Sequence, residues 1–364
     1  MKIKLAIVFV VLALGESYSY AKSTDTLFAA QLKPIGRTKI NKQHQLELIT
    51  SAAHFGFTFK GTACAVYATI AAAGQHNYLQ YELDGVYKKR IRIDGDVTAP
   101  VIIKADGPGK HSIWIYKATE AHTGAIIISK IAAPGIKSLA IPKLPLIEFI
   151  GNSVTCGAAA DDSEMPCGTG DYYDNHNAYM AYGPSVSRKL NANFVLVSVS
   201  GIGIYRTWNR EGPSMPQVYE NADLEVNSPQ KWNFNAYNPK IVSIALGTND
   251  MSNGDGSPRA AFDTLQFVAA YVKFVQLVKS KYPKAQIALL SSPMIGYTWN
   301  TILQHCLISI KKQIDIIYPN DKQVATFFFK AMDLHGCSGH PSVADHQILA
   351  EELKPFFEGL LKAD

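Results

Sequence analysis

The chain has 364 residues, of which 47% are hydrophobic and 18% charged, and its formal net charge at pH 7 is +5. This composition excludes an intrinsically disordered protein and allows a large buried core. The Lys and Arg residues are scattered rather than concentrated on one segment, which argues against a nucleic-acid-binding protein. The sequence contains no P-loop, zinc-finger or dinucleotide-binding glycine motif.

The N-terminal segment differs from the rest of the chain. Lys2 and Lys4 precede the apolar run LAIVFVVLAL, and Ser19 and Ala21 follow at the spacing that signal peptidase recognises. The run is shorter than the roughly 20 apolar residues of a bilayer-spanning helix, although an uncleaved anchor is the alternative. We therefore predict a signal peptide over residues 1–21 and a secreted protein, extracellular or periplasmic, that does not contact a membrane.

Residues 22–143 are predicted to form an all-β domain. Short segments rich in β-branched and aromatic residues, from GFTFKG to GAIIISKIAA, are separated by Gly, Asp and Pro. None has a sustained helical period. Many short strands at regular spacing are typical of a β-sandwich, and Trp114 in one of these strands is expected in its core.

Residues 144–364 are predicted to form an α/β domain, with the boundary between Pro142 and Pro145. Strands are predicted in LPLIEFIG, NFVLVSVSG, PKIVSIALG, AQIALLSS and VATFFFK. Helices are predicted in NAYMAYGPSVSRKLN, in residues 257–283 and in residues 343–362, the last two with apolar residues at intervals of three and four. Strands that alternate with helices predict a parallel sheet covered on both faces.

Small and polar residues follow three of these predicted strands. The first strand leads into Ser153, the second into Gly201, the third into Asn249, and His340 precedes the last helix. Binding sites in open parallel sheets gather beyond the carboxyl ends of the strands, so these residues are expected to converge.

The four residue types suit acyl transfer. A serine hydroxyl needs a base such as histidine to take its proton, and the resulting oxyanion needs fixed hydrogen-bond donors. Backbone N–H groups at glycine and an asparagine amide are such donors. Each residue also has a structural alternative: Ser153 in a simple turn, Gly201 and Gly203 in a tight loop, Asn249 and Asp250 as caps of the following helix, and His340 at a helix start.

The blocks FIGNSVTCG, SGIG, LGTND and GHPS resemble, in this order, the four blocks of SGNH (GDSL-like) hydrolases. More specifically, the chain resembles carbohydrate esterase family 2, over nearly its whole length after the N-terminal segment. Members join an N-terminal jelly-roll sandwich to an SGNH domain and remove acetyl groups from plant polysaccharides. The resemblance implies that Ser153 is the nucleophile and His340 the general base. It also implies an oxyanion hole formed by the N–H groups of Ser153 and Gly201 and the side chain of Asn249, with Gly203 as the alternative glycine.

Two positions depart from the SGNH pattern. Asn152 stands where an Asp usually precedes the serine, and Cys337 and Ser338 occupy the positions at which an Asp usually precedes the histidine. The nearest upstream carboxylate is Asp333. The chain is therefore expected to use either a Ser–His dyad, with a backbone carbonyl accepting the Nδ1 proton of His340, or a triad completed by Asp333.

A metal site is the alternative reading of the histidine region. Asp333, His335, Cys337, His340 and His346 lie close together in the sequence, but their spacing matches no standard zinc pattern. We therefore expect neither a metal nor a cofactor.

The cysteines and two tryptophans complete the set of candidates. In an oxidising compartment we predict disulfides Cys156–Cys167 and Cys306–Cys337 with Cys64 free, although sequence alone leaves the connectivity open. Trp208 and Trp299 are candidates for stacking on sugar rings, with core packing as the alternative.

These features favour a secreted serine esterase that removes O-acetyl groups from xylan or glucomannan through an acetyl-enzyme. The alternatives are another SGNH esterase or lipase, and a carbohydrate-binding protein with impaired catalysis, which the missing carboxylate near His340 would explain. The preferred polymer and the oligomeric state are left open.

Overall fold

The computed structural model describes residues 24–209 and 212–363. The predicted signal peptide at residues 1–21 lies outside these ranges. None of the helices in the described ranges is both long enough and apolar enough to cross a bilayer.

The N-terminal part consists of two antiparallel sheets. Its strands are β1 (Asp25–Phe28), β2 (Thr38–Ile40), β3 (Leu46–Leu48), β4 (His54–Lys60), β5 (Ala63–Ile70), β6 (His76–Leu83), β7 (Val86–Asp94), β8 (Val101–Lys104), β9 (Lys110–Lys117), β10 (Ile126–Ala133) and β11 (Lys137–Ser138). One sheet has the order β2-β3-β10-β5-β8, with β1 also paired to β10, and the other has the order β11-β4-β9-β6-β7. The strands β3 to β10 therefore follow the jelly-roll order, and the predicted sandwich is confirmed.

Alternation along the strands explains the sandwich. Every second residue of β5 is buried, because successive side chains of a strand point to opposite faces. On β9, Ile113 and Ile115 are buried between the sheets with the phenylalanines of β4. Trp114 lies between them in sequence and so faces the other way. It is half-buried against a second cluster shared with the C-terminal part, which corrects its predicted place in the sandwich core.

The C-terminal part is a parallel sheet flanked by helices, as predicted. Its strands are β12 (Leu146–Gly151), β13 (Asn193–Ser198), β14 (Ile241–Ala245), β15 (Gln286–Leu290) and β16 (Ala325–Phe327). Its helices are α1 (Ser153–Cys156), α2 (Tyr182–Lys189), α3 (Met215–Val218), α4 (Thr248–Met251), α5 (Thr264–Lys281), α6 (Tyr297–Ile317) and α7 (Val343–Lys362).

Helix α6 was not predicted from the sequence. Its inner face buries Leu303, Leu307 and Ile310, but Ile308 and Ile316 are exposed on its outer face. Apolar residues on both faces obscure the one-sided stripe by which an amphipathic helix is recognised.

The strand order of the parallel sheet is β13-β12-β14-β15-β16. The chain therefore leaves β12 toward one side to form β13 and returns to the other side to form β14. Connections that diverge in this way leave a crevice at the carboxyl ends of the strands. Ser153, Gly201 and Asn249 follow β12, β13 and β14 respectively, so the predicted site residues border this crevice.

The two parts pack against each other through shared clusters. Tyr116 of the sandwich belongs to one cluster with Phe149 and Phe194 of the parallel sheet. Residues 139–145 connect β11 to β12. The domain boundary at residues 143 and 144 remains a prediction, and it falls within this connection.

Candidate active site

Ser153 is presented by a one-turn helix at the edge of the parallel sheet. It is the first residue of α1, directly beyond β12, and it is 6% exposed. The side chain of Asn152 accepts the N–H of Val154 at 3.2 Å and caps the turn. A Cβ on Gly151 would lie 2.0 Å from Oγ1 of Thr155, so glycine is needed where the strand meets the turn. The first N–H groups of a helix have no intrahelical partner, which leaves the Ser153 N–H available to an anion.

His340 lies beside this serine. Its Nε2 is 2.9 Å from Oγ of Ser153, and its Nδ1 is 3.2 Å from the backbone oxygen of Ser338. A carbonyl oxygen only accepts, so this geometry places the proton on Nδ1 and leaves Nε2 free to take the serine proton. Burial lowers the pKa of His340, against the opposing effect of the Ser338 carbonyl, so the imidazole is neutral near pH 7.

Asp333 does not complete a triad in this structure. Among the described residues, the groups that hydrogen-bond the His340 ring are Ser153, Ser338 and Tyr172. Asp333 instead acts on His335, whose pKa is raised first by its hydrogen bond to Asp345 and more weakly by the charge of Asp333.

The loop that carries His340 is fastened to the chain that follows α1. Cys337 forms a disulfide with Cys167, and its N–H donates to the oxygen of Ala159 at 2.8 Å. Ser338 adopts a left-handed conformation with φ 52°, which turns its carbonyl toward the imidazole. The loop is thus constrained by a covalent bond and by backbone hydrogen bonds.

This disulfide corrects the predicted pairing. Cys156 does not bond Cys167, because its thiol lies beneath α1, against Ser198 and Glu120. Cys306 does not bond Cys337, because it is buried on α6. Cys64 is free, as predicted.

The predicted oxyanion-hole residues line the same cleft as the serine and histidine. This cleft has a volume of about 700 Å³ and is bordered by Ser153, Gly201, Asn249 and His340. The side-chain amide of Asn249 donates to the backbone oxygen of Ile202 at 2.8 Å, which fixes its orientation.

Gly203, the alternative glycine, has a different place. It is not among the residues that line the cleft, and a Cβ there would lie 2.2 Å from the oxygen of Arg206 and 2.5 Å from Oδ2 of Asp250. Gly203 therefore allows a close approach within the loop, whereas Gly201 faces the cleft.

Asp250 braces the loop after β13. Its fully buried carboxylate accepts the N–H groups of Ile204 and Tyr205 at 3.0 Å and of Arg206 at 3.3 Å. Burial raises its pKa to about 6 against these hydrogen bonds. The capping alternative for Asn249 and Asp250 is wrong, because both lie inside α4, whose N-terminal cap is residue 247.

Two further residues of the site were missed from the sequence. Tyr172 lines the cleft with its hydroxyl 3.3 Å from Nε2 of His340. Glu120 of the sandwich is buried beneath the cleft and accepts the N–H of Ser200. Neither residue lies in a recognisable motif. The one available signal concerned Glu120, a charged residue shortly after the strand β9.

The two tryptophans occupy different positions. Trp208 lines the cleft and is 45% exposed, and its backbone N–H donates to the backbone oxygen of Gly201 at 2.7 Å. Trp299 is not among the cleft-lining residues, and its ring packs edge-on against Phe262 at 5.9 Å. The structure therefore brings one of the two predicted stacking residues to the cleft.

The predicted metal alternative is not assembled in the described residues. The Cys337 thiol is consumed by the disulfide, and His346 is fully buried with its Nδ1 accepting the N–H of Tyr182. His335 pairs with Asp345 at 2.9 Å. Another trio, His76, Asp171 and Asp174, has ligand atoms within 4.8 Å of one another at the contact between the two parts.

Two family models match the chain. The model described as Carbohydrate esterase 2 N-terminal matches residues 34–142. The model described as GDSL-like Lipase/Acylhydrolase family matches residues 149–307.

Characterised proteins with related sequences match most of the chain. An acetylxylan esterase / glucomannan deacetylase of Cellvibrio japonicus is 30% identical over 331 residues, which cover 84% of this chain and 87% of that protein. The cellulase/esterase CelE of Acetivibrio thermocellus is 31% identical over 316 residues, which cover 83% of this chain but only 36% of CelE. The chain thus spans about a third of the length of CelE.

A solved structure with the same fold is that of a family two carbohydrate esterase from Clostridium thermocellum in complex with cellohexaose. It superposes with a TM-score of 0.77 at 27% sequence identity, over 93% of this chain and 99% of that one. The likeness therefore includes both the sandwich and the parallel sheet.

Proposed function

The chain belongs to carbohydrate esterase family 2 and is a carboxylic ester hydrolase, and from that premise we propose that it removes O-acetyl groups from plant polysaccharides by a Ser153–His340 mechanism. The observation that carries the proposal is the 2.9 Å contact between Oγ of Ser153 and Nε2 of His340 at the wall of an open cleft. The relatives named for action on acetylxylan and glucomannan support this class of substrate.

In the acylation half, His340 accepts the hydroxyl proton as Ser153 attacks the acetyl carbonyl carbon. The carbonyl oxygen becomes an oxyanion, which in this proposal accepts hydrogen bonds from the N–H groups of Ser153 and Gly201 and from the amide of Asn249. The tetrahedral intermediate then collapses, the C–O bond to the sugar breaks, and His340 returns the proton to the departing sugar oxygen.

In the deacylation half, His340 takes a proton from water, which attacks the acetyl-enzyme. A second oxyanion forms in the same place, and its collapse releases acetate and restores the Ser153 hydroxyl. No cofactor takes part in either half.

Among the described residues, the hydrogen-bond partners of the His340 ring include no carboxylate that could pair with the imidazolium formed in both halves. The backbone oxygen of Ser338 at 3.2 Å accepts the Nδ1 proton and fixes the tautomer that a triad carboxylate would otherwise fix. The proposed catalytic unit is therefore a Ser–His dyad assisted by a carbonyl group.

The cleft suits a sugar as the alcohol part of the ester. Trp208 presents a half-exposed aromatic ring at its border, and an aromatic face matches the C–H groups of a pyranose. Action on a plant polymer would require secretion, which the predicted signal peptide at residues 1–21 would direct.

The test compares the wild-type enzyme with Ser153→Ala on 4-nitrophenyl acetate, acetylated xylan and acetylated glucomannan. Ser163→Ala, on an exposed loop, is the matched control. We expect acetate release by the wild type and by the control, and a loss of about 10⁴-fold or more in Ser153→Ala. Retained turnover in Ser153→Ala would contradict the nucleophile.

A second pair of outcomes concerns the alternatives. Faster hydrolysis of a long-chain ester than of acetyl esters would indicate a lipase. Polysaccharide binding without turnover by the wild type would indicate a binding protein.

A further inference from the structure

We propose, on the premise that Ser153 and His340 carry out the ester hydrolysis proposed above, that Glu120 of the sandwich is a positioning residue of this site. Its buried carboxylate accepts a hydrogen bond from the backbone of the Ser200–Gly201 turn. It also supplies, at longer range, the negative charge that the base His340 otherwise lacks. The sandwich would then supply part of the catalytic environment rather than only a neighbouring surface.

The first support is the contact between Glu120 and the oxyanion turn. Glu120 lies three residues beyond β9 and is 6% exposed. Its Oε2 accepts the N–H of Ser200, the residue before Gly201. The thiol of Cys156, in α1, is 3.5 Å from the same oxygen. One carboxylate oxygen therefore contacts both the turn after β13 and the helix that carries Ser153.

The second support is a series of contacts that leads from the other carboxylate oxygen to the base. Oε1 of Glu120 is 3.6 Å from Nε2 of His176, whose Nδ1 accepts the N–H of Ala159 at 3.4 Å. This arrangement places the His176 proton on Nε2, toward the carboxylate. The His176 ring meets the Tyr172 ring edge-on at 4.8 Å, and the Tyr172 hydroxyl is 3.3 Å from Nε2 of His340.

The third support is charge. Burial alone would raise the pKa of Glu120, but its interactions with His176 and the hydrogen bond from Ser200 outweigh burial and lower it to about 2. Glu120 is therefore an anion throughout the working pH range. Burial is the main effect that lowers the pKa of His340, and His176 lowers it further. The backbone of Ser338 and Cys337 and, to a smaller extent, the charge of Glu120 raise it.

Other titratable groups surround this anion and the base. Lys117 donates to the backbone oxygens of Glu120 and Thr119, and burial lowers its pKa to about 7, against the opposing charge of Glu120. Burial raises the pKa of both Cys156 and Tyr172. The pKa of His346 is lowered to about 3, again chiefly by burial. Near pH 8 these shifts favour the uncharged forms of Lys117, Cys156, Tyr172 and His346, whereas Glu120 keeps its negative charge.

The chemical reason for such an anion is the imidazolium. In triad enzymes a carboxylate stabilises the positive histidine that forms in each transition state. Ser338 offers a carbonyl dipole but no charge, so a buried anion at longer range would complete the stabilisation.

The test measures the pKa of His340 by NMR of ¹⁵N-labelled histidine in the full chain, for the wild type and Glu120→Gln. Glutamine keeps the shape and an oxygen that accepts from Ser200 but removes the charge. We expect the pKa of His340 to fall by about half a unit to one unit. We also expect kcat to fall about tenfold, with KM changed less than twofold and the acidic limb of the kcat profile moved to lower pH.

Glu148→Gln is the matched control. Glu148, on β12, is also a buried glutamate and is 1% exposed. Its carboxylate accepts a hydrogen bond from the hydroxyl of Tyr219 at 2.8 Å. This variant is expected to leave the pKa of His340 and kcat unchanged. An unaltered His340 pKa in Glu120→Gln, or an equal shift in Glu148→Gln, would overturn the proposal.

A measurement on the wild type covers the case in which Glu120→Gln does not fold. The side-chain ¹³C resonance of Glu120 is expected to move at the pH at which His340 titrates, and its constancy there would overturn the proposal. The imidazole titration needs no turnover, so it separates this proposal from the proposed function, which fails instead if Ser153→Ala remains active.

Discussion

The two halves of the candidate site are held in place by different means. On the oxyanion side, Asn249 lies one turn beyond a buried strand. The carboxylate of the adjacent Asp250 accepts hydrogen bonds from three backbone N–H groups of the neighbouring loop. On the base side, His340 lies on a loop that is distant in sequence from the end of the preceding strand, β16. That loop is constrained by the Cys167–Cys337 disulfide and by the carbonyl of Ser338.

This difference shows that two demands on a hydrolase site have separate physical solutions. Donors for an oxyanion must be rigid in advance of the reaction, and the ends of parallel strands supply that rigidity. A general base needs the right tautomer and distance, and for the proposed base His340 a backbone oxygen and a disulfide constrain both. The comparison makes four predictions, in order of decreasing effect.

Replacing His340 by alanine removes the base side altogether. We expect kcat for 4-nitrophenyl acetate to fall about 10⁴-fold, because His340 is the base in contact with the Ser153 hydroxyl. His335→Ala is the control, since that exposed histidine pairs with Asp345 away from the serine. If steady-state kinetics showed that His340→Ala retains a tenth of the wild-type kcat, His340 would not be the general base.

Replacing Asn249 by alanine removes one donor from the oxyanion side. The expected result is a loss of about 10²–10³-fold in kcat with little change in KM, because the amide acts in the transition state. Asn235→Ala, on the exposed surface, serves as the control. A change in KM alone would show that Asn249 binds substrate instead.

Replacing Cys167 and Cys337 together by serine releases the base side while leaving the oxyanion side intact. The bond closes a separation of 170 residues, so its loss is expected to lower the free energy of unfolding by about 2–4 kcal/mol. We also expect kcat to fall about tenfold, since misplacement of a catalytic group costs rate. Thermal unfolding and kinetics check both, with Cys64→Ala as the control for a buried free thiol. Lower stability with an unchanged kcat would assign the disulfide to the fold alone.

Replacing Asp333 by alanine is expected to change kcat by less than about twofold, because this carboxylate acts on His335 rather than on His340. The comparison with Ser153→Ala in the same assay is decisive. A loss as large as that of Ser153→Ala would establish a triad in solution.

Much of the fold followed from the sequence because its signals are local. Alternating apolar residues in β5 and a wholly buried run in β12 both reflect where side chains point. The convergence of Ser153, Gly201 and Asn249 followed from a topological rule, since the loops after neighbouring parallel strands share one edge of the sheet.

The remaining features depend on contacts between distant segments. Cysteines close in sequence were paired in the prediction, but Cys167 meets Cys337 because the loop after α1 folds against the histidine loop. Glu120 reaches the site from the sandwich and Tyr172 from a connecting turn. A periodic pattern in the sequence cannot predict such contacts between distant segments. Trp299 was placed at the cleft because it follows a strand, but the unrecognised helix α6 carries it to the Phe262 ring.

We have proposed that Ser153 is a nucleophile activated by His340. The most direct test of this proposal is covalent labelling of the intact enzyme with diethyl 4-nitrophenyl phosphate, followed by mass spectrometry of the peptides. We predict one diethyl phosphate group on Ser153, formed in step with the loss of esterase activity and formed much more slowly in His340→Ala. Inactivation with the label on another residue, or full activity in a protein whose Ser153 is labelled, would contradict it.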